Sequence, residues 1–319
     1  GRRLGFMIGT GLGALSGLLC FAAVIYQNFW LLALGGLVFG FFSGFAQLYR
    51  FAAADGITGK YRSIAISLVL AGGVFAGFAG AGLAVWGEDM VPMGWYAGDA
   101  HRFGGTFLFM TCTALIAAFA LLFLRIPNLT KAQLEGPQRP MLEIMKQPVF
   151  IAAAVSAAVA QTVMNFLMTA TPVAMIHICG HSFDSMAGVI ASHIFAMFAP
   201  GFFTGFLIRK FGEIWMIIVG LFLEAGCIII ALLGIEVMNF WLAMFLLGVG
   251  WNFTFTAATS LMTNAYTPAE RAKTQGMTNQ IIYTVVAIGS LSSGAFIHFF
   301  GWDWVNIGAL PLLVIAVGV

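Results

Sequence analysis

The sequence predicts an all-α membrane protein with ten membrane-spanning helices arranged in two related sets. Three observations lead there. Of the 319 residues, 61% are hydrophobic and only 8% charged, whereas a soluble domain is roughly a quarter charged. So few charges cannot coat a soluble core of this size, and the apolar side chains are expected to face lipid. The apolar residues fall in ten runs, nine of them long enough to cross a bilayer, which takes about 20 helical residues. The basic residues alternate between successive loops. Thirteen of the fourteen Lys and Arg (2, 3, 50, 60, 62, 125, 131, 139, 146, 209, 210, 271 and 273) fall in one set of loops, and only Arg102 falls in the other, beside Glu88, Asp89 and Asp99. Positive loops stay in the cytoplasm, so the net charge of +2 reports topology and gives no reason to expect nucleic-acid binding. A membrane barrel would alternate polar and apolar residues over about ten positions; these runs are apolar all round.

The runs follow in order. Leu4–Ile25 carries glycines at 5, 9, 13 and 17, and Phe29–Phe51 carries them at 36, 40 and 44; a spacing of four keeps small residues near one helix face, where two backbones can approach. Gln47 is the polar residue near the end of this second run. Ile64–Trp86 is rich in glycine (72, 73, 77, 80 and 82), and Gly104–Leu124 is almost purely apolar. Residues 126–148 contain Pro127, Gly136, Pro137, Pro140 and several charges, and read as a long cytoplasmic linker between a first half, 1–125, and a second half, 149–319. Val149–Ile178 follows, with Gln161, Asn165 and Thr169 four apart. Ser185–Ile208 holds His193, and Ile214–Ile235 holds Glu224, the one carboxylate well inside an apolar run. Phe240–Met262 has Asn252, Thr256 and Thr259, with Thr263 just beyond; Met277–Phe300 has Asn279, Tyr283 and Ser290; Val305–Val319 ends the chain.

A repeat ties the two halves together. Asn-Phe-Trp-Leu occurs at 28–31 and again at 239–242, an offset of 211. The same offset maps Gly1 to Gly212, Ala54 to Ala265, Lys60 to Arg271, Arg62 to Lys273 and Ser63 to Thr274. Each pair sits on the same kind of element and no gap is needed, so the period is six helices. On that count two helices are expected to precede Leu4 in an intact twelve-helix protein. Parallel six-helix repeats are a transporter architecture, with the substrate site near the midplane between them.

Other chemistry finds little support. Cys20, Cys112, Cys179 and Cys227 lie on separate runs without C-x-x-C spacing, so neither a metal site nor a disulfide framework is expected. His177 and His181 are four apart but fall at an external helix end. No glycine loop followed by Lys-Ser or Lys-Thr is present, so ATP is not the direct energy source. No cofactor and no enzymatic activity are expected.

These residues resemble the major facilitator superfamily over the whole chain. Gly1-Arg2-Arg3 looks like the end of the superfamily signature G-x-x-x-D-R-x-G-R-R, and the segment from Gly205 through Arg209, Lys210 and Gly212 to Glu213 is similar to its second copy, departing from it at Arg209 and Glu213. The stretches MNFLMTATPVAM, HIFAMFAPGFFTGFLIRKFG and YTPAERAKTQG resemble a bacterial permease branch. The resemblance implies that the runs are helices 3–12 of the family, and that Gln47, Gln161, Asn165, Thr169, Asn252, Thr256, Asn279 and Tyr283 are candidates for lining a substrate cavity. Buried polar groups in a membrane are costly unless they find a partner or line a cavity. Glu224 and His193 are the candidates for carrying a coupled proton. Arg2, Asp55, Arg50, Arg209 and Lys210 are the candidates for a cytoplasmic gate, with Arg2 pairing with Asp55 as the signature implies. The function expected is secondary active transport of a small solute by alternating access, coupled to a proton or another ion, by a monomer in the bacterial inner membrane. The alternative is a membrane receptor or assembly subunit that keeps the fold without transport; solute uptake in vesicles separates the two.

Overall fold

The computed structural model describes residues 2–55, 57, 59–88, 90–92, 103–123 and 136–319. Its elements are helices: α1 (Arg2–Ile25), α2 (Phe29–Ala46), α3 (Tyr49–Asp55), a 3-10 turn (Gly59–Tyr61), α4 (Arg62–Ala71), α5 (Gly73–Glu88), α6 (Gly104–Phe123), α7 (Met141–Met145), α8 (Pro148–Val173), α9 (Phe183–Phe198), α10 (Gly201–Phe211), α11 (Glu213–Leu233), α12 (Val237–Met262) and α13 (Arg271–Val317). A π turn, Ala174–Ile178, continues α8. Most of the external loop expected between 87 and 102 and the first part of the linker lie outside the described residues.

Among the described residues, seven helices are long and apolar enough to cross a membrane, or eight if the bent pair α9–α10 is one span. All ten runs read from the sequence are present as helix, but five are cut differently. The run 29–51 is broken at residues 47–48 into α2 and α3. The run 64–86 is interrupted at Gly72 into α4 and α5, each too short alone. The run 185–208 bends by 42° between Phe198 and Gly201, where Pro200 offers no N–H to the helical ladder. The last two runs are joined end to end in the 47 residues of α13, with a break at Gly301 (φ 80, ψ −177); that left-handed φ is one glycine adopts without a side-chain clash.

The two copies of Asn-Phe-Trp-Leu do different jobs. Asn28 caps α2, its side chain accepting a hydrogen bond from Leu31 N at 3.1 Å, which satisfies one of the orphan N–H groups of the first turn. Asn239 lies inside α12, because that helix starts at Val237 and its first turn is closed by Asn239 N to Glu236 O, 2.9 Å.

Contacts group the chain into two compact units, Gly1–Ala52 with Phe75–Asn128 and Ala53–Val74 with Leu129–Val319. In the first unit α1 packs along α2 and α6. The approach to α6 is closest at Gly17, where a Cβ would strike Thr111. Arg3 donates to the Leu122 carbonyl at 2.6 Å. In the second unit α12 is the central post, packed by α11, α9 and α8, while α13 lies along α8. Two glycines of α12 permit the close approach of its neighbours. A Cβ on Gly248 would lie 2.7 Å from the His193 carbonyl oxygen of α9, and one on Gly250 would lie 2.7 Å from the Gly220 carbonyl oxygen of α11. Residues 53–74, first-half by sequence, pack in this second unit. α4 lies on α10, with Ser63 Oγ donating to Gly205 O at 3.1 Å and Ser67 Oγ to Gly201 O.

Candidate functional site

The polar stripes lie on α8, α12 and α13, all in the second unit. On α8, Gln161 Oε1 accepts from Trp251 Nε1 at 2.8 Å, and Asn165 Nδ2 donates to the Gln161 carbonyl one turn earlier at 2.9 Å. Asn165 is half-buried and Thr169 exposed. Trp251 in turn stacks on Phe255 (centroids 5.0 Å apart, planes 16° apart) and meets Phe198 edge-on at 5.7 Å. An amide and an aromatic ladder thus meet where α8, α9 and α12 converge. On α13, Asn279 and Tyr283 are half-buried.

These groups sit at more than one depth. Gly289 of α13 faces Thr162 of α8, and Ser293 Oγ donates to Phe166 O at 2.7 Å. The two helices therefore run in the same direction with a fixed register. In that register Asn165 is level with residue 292, thirteen helical residues beyond Asn279, or about 20 Å along the helix pair. Gln161 and Asn165 form one level, Asn279 and Tyr283 another.

Asn252 and Thr256 are fully enclosed. Asn252 Nδ2 donates to Met197 O at 2.6 Å and its Oδ1 accepts from Thr204 Oγ1 at 2.7 Å, so this side chain ties α12 to α9 and α10. Gln47 lies in the first unit, where its Oε1 accepts from Arg50 Nη1 at 2.9 Å.

Glu224 and His193 are both completely buried. Glu224 packs its methylene against Gly250, and neither carboxyl oxygen has a hydrogen-bond partner among the described residues. His193 Nδ1 is 2.7 Å from Met244 O, and its Nε2 has no partner there. Because their α12 neighbours Gly248 and Gly250 are two residues apart, about 200° around the helix, the two lie on opposite flanks of α12.

At the cytoplasmic ends, Asp55 Oδ2 is 3.4 Å from Arg271 Nη1, a pairing that the sequence pattern does not reveal; the side chain of Arg2, its expected partner, lies outside the described residues. Arg209 rests over the ring of Tyr61 at 5.7 Å and Lys210 over Phe211 at 5.1 Å. Arg50 is buried over Phe51.

Sequence reasoning also misses the tightest polar cluster. Arg139, at the end of the linker, forms a two-pronged pair with buried Glu270, Nε to Oε1 at 2.8 Å and Nη2 to Oε2 at 2.7 Å. Its Nη2 also reaches Ala265 O at 3.1 Å, joined there by Gln147 Nε2 at 2.9 Å, and Lys273 binds the Arg139 carbonyl. The guanidinium of Arg139, reinforced by the N–H groups of Thr267 and Arg139, holds the Glu270 carboxyl well below the usual carboxylate range despite its burial. A signal is present in the sequence: Thr267-Pro-Ala-Glu270 has the spacing of a capping box, and Thr267 N does donate to Glu270 Oε2 at 2.9 Å.

Long apolar helices with amide, hydroxyl and aromatic groups on their buried faces define a multi-pass helical membrane protein. The profile of the Major Facilitator Superfamily matches residues 1–288. Over 318 residues the chain is 40% identical to the riboflavin transporter RfnT of Brucella anthropi, covering 99% of this chain and 78% of that protein. It is 29% and 30% identical to the MFS-type transporters YdeG and YddS of Bacillus subtilis, covering 99% of this chain and 76% and 75% of theirs. Among solved structures it resembles the E. coli fucose:proton symporter FucP, with a TM-score of 0.69 at 15% identity over 99% of this chain and 83% of that one. The human organic anion transporter MFSD10 gives 0.69 at 14% identity over 99% and 76%. The chain belongs to the Major Facilitator Superfamily. It is a multi-pass membrane protein and a secondary transporter of a small molecule, and its family is not one of enzymes.

Proposed function

We propose that the transported solute is riboflavin or a closely related flavin, carried by alternating access across the bacterial inner membrane. The observation that carries this reading is the 40% identity to RfnT along nearly the whole chain. The amides of Gln161 and Asn165 beside Trp251 and Phe255 are chemistry of the right kind, and since both rings are buried and stacked on each other, a ring would reach them only as the helices rearrange in the transport cycle. A flat heteroaromatic ring needs an aromatic face for stacking and amide groups for its polar edge, and unpaired polar groups on either side are costly. In this reading Gln161 and Asn165 are the main cavity residues. Thr169, Asn279 and Tyr283 line the path on either side, Thr256 adds a hydroxyl behind them, and Asn252 acts by holding α12 in place. The first half, 1–125, supplies Gln47 and is joined to the second, 149–319, by the linker 126–148. Asp55, Arg50, Arg209 and Lys210 hold the cytoplasmic gate together with Arg2.

Transport is coupled to a proton in this proposal, with Glu224 or His193 as the carrier; what supports it is that both are sealed in the helix bundle with polar atoms left over. The protein works as a monomer. The test is uptake of labelled riboflavin into vesicles containing the intact protein, with and without a pH gradient. Asn165→Ala is expected to lower apparent affinity about tenfold, the loss of one or two buried hydrogen bonds. Glu224→Gln is expected to retain riboflavin exchange and lose acceleration by the gradient. Absence of saturable flavin uptake by well-folded protein would overturn the assignment.

A further inference from the structure

The cytoplasmic end of the second unit encloses a polar cavity of about 190 Å³, lined by Ala54, Asp55, Arg62, Thr263, Tyr266, Pro268 and Arg271. We propose that it is a binding site for a small tetrahedral oxyanion, phosphate or a phosphate monoester, held between Arg62 and Arg271 in competition with Asp55. The inference does not depend on which solute is transported.

Three features point to an anion. The lining holds two guanidinium groups against one carboxylate, so the site carries a net positive charge and disfavours cations. Arg62 makes no hydrogen bond or ion pair to the described residues, and Arg271 is only loosely engaged, by one 3.4 Å contact to Asp55. Its sequence neighbour Glu270 shows what a satisfied pair looks like in the same region, with two guanidinium contacts at 2.7 and 2.8 Å. Guanidinium groups bind phosphate oxygens through paired N–H donors, which the Asp55 contact leaves largely unused. The volume leaves room for one such anion with some of its hydration.

The cavity also draws on both copies of the repeat. Residues 54, 55 and 62 come from the first copy of the sequence repeat; Thr263, Tyr266, Pro268 and Arg271 come from the second. The offset of 211 relates Asp55 to Tyr266 and Ala54 to Ala265. Both copies of one cytoplasmic segment therefore contribute to one wall. An anion drawing Arg271 away from Asp55 would break the ion pair between the end of α3 and the start of α13.

Binding can be read on the purified intact protein in phosphatidylcholine nanodiscs, by thermal unfolding during a phosphate titration against chloride at equal ionic strength. Phosphate is expected to stabilise the protein saturably, with Kd of about 1 mM. Arg62→Gln should weaken binding about fivefold or more without changing stability in the absence of phosphate, since Arg62 has no other partner among the described residues. Asp55→Asn should tighten it about fivefold, because the competing carboxylate is gone. A parallel series in nanodiscs containing phosphatidic acid separates the sources. Stabilisation by free phosphate in the neutral discs identifies a soluble oxyanion. Stabilisation by phosphatidic acid alone, dependent on Arg62, identifies a lipid headgroup. If neither probe gives an Arg62-dependent response, or if Asp55→Asn leaves affinity unchanged or weaker, the site does not exist as proposed.

Discussion

Glu270 accepts four hydrogen bonds, three from Arg139 and one from Thr267 N, and its folded carboxyl is held below its ordinary range by that guanidinium first and those N–H groups second. A carboxyl whose folded value is depressed stabilises the protein above its unfolded value, about 4.3, and loses that contribution as pH falls further. Wild-type protein should therefore lose stability steeply below about pH 4, and Glu270→Gln should flatten that segment of an acid-unfolding curve. Arg139→Met should cost about 2 kcal/mol at neutral pH, less than a fully enclosed pair because the arginine is partly solvated; chemical unfolding at pH 7 measures it. Glu270 is legible in the T-x-x-E spacing, but Arg139, 131 residues away, is not. Asn252 shows the same limit. Its polarity in an apolar run is plain in the sequence, but its partners, Met197 O and Thr204, are 55 and 48 residues distant and only packing brings them together. Glu224 is a third case. The repeat pairs it with Gly13, which lies 3.1 Å, at an added Cβ, from the ring of Phe42, while Glu224 lies against Gly250, the counterpart of Phe39. At this position of the repeat the first unit has only glycine, so the carboxylate that stands out in the sequence also fills space against α12.

Elements are legible where the pattern is long and obscure where one residue decides. The ten apolar runs mark the helices; the break at Gly72 and the bend at Pro200 turn on single residues inside runs that remain apolar throughout. The contact of α4 with α10 is not readable, since glycines 201 and 205 are two among 39. In the structure a Cβ on Gly205 would meet Ile64 Cα at 2.5 Å and Ser63 O at 2.7 Å, and one on Gly201 would meet Ser67 O at 2.9 Å. These are backbone atoms, which cannot turn aside as a side chain would, and the serine hydroxyls bridge the same two helices. Gly205→Leu is expected to destabilise the protein by about 1–3 kcal/mol through overpacking, whereas Gly276→Leu, with open space around its Cβ position, should leave thermal stability nearly unchanged. Equal effects at both positions would remove the close-packing account.

For the whole molecule, the alternation of basic loops predicts sidedness. A cysteine placed at Ala132 or Pro268 should react with a membrane-impermeant thiol reagent only after the membrane is opened, and one at Gly98 should react from outside. The reverse pattern would invert the assignment. The sequence repeat and the contact units divide the chain differently, because residues 53–74 belong to the first half by descent and to the second unit by packing. The clasp around Arg139 adds a practical corollary. It gathers the end of the linker, the segment before α13 and the start of α13 into one knot, so the last dozen residues of the linker behave as the leading edge of the second half rather than as slack cord. A gene split to express the halves as separate polypeptides should thus tolerate a cut before Gly136, leaving the downstream piece with its own fastening, and fail with a cut at 149, which would hand Arg139 to the wrong fragment.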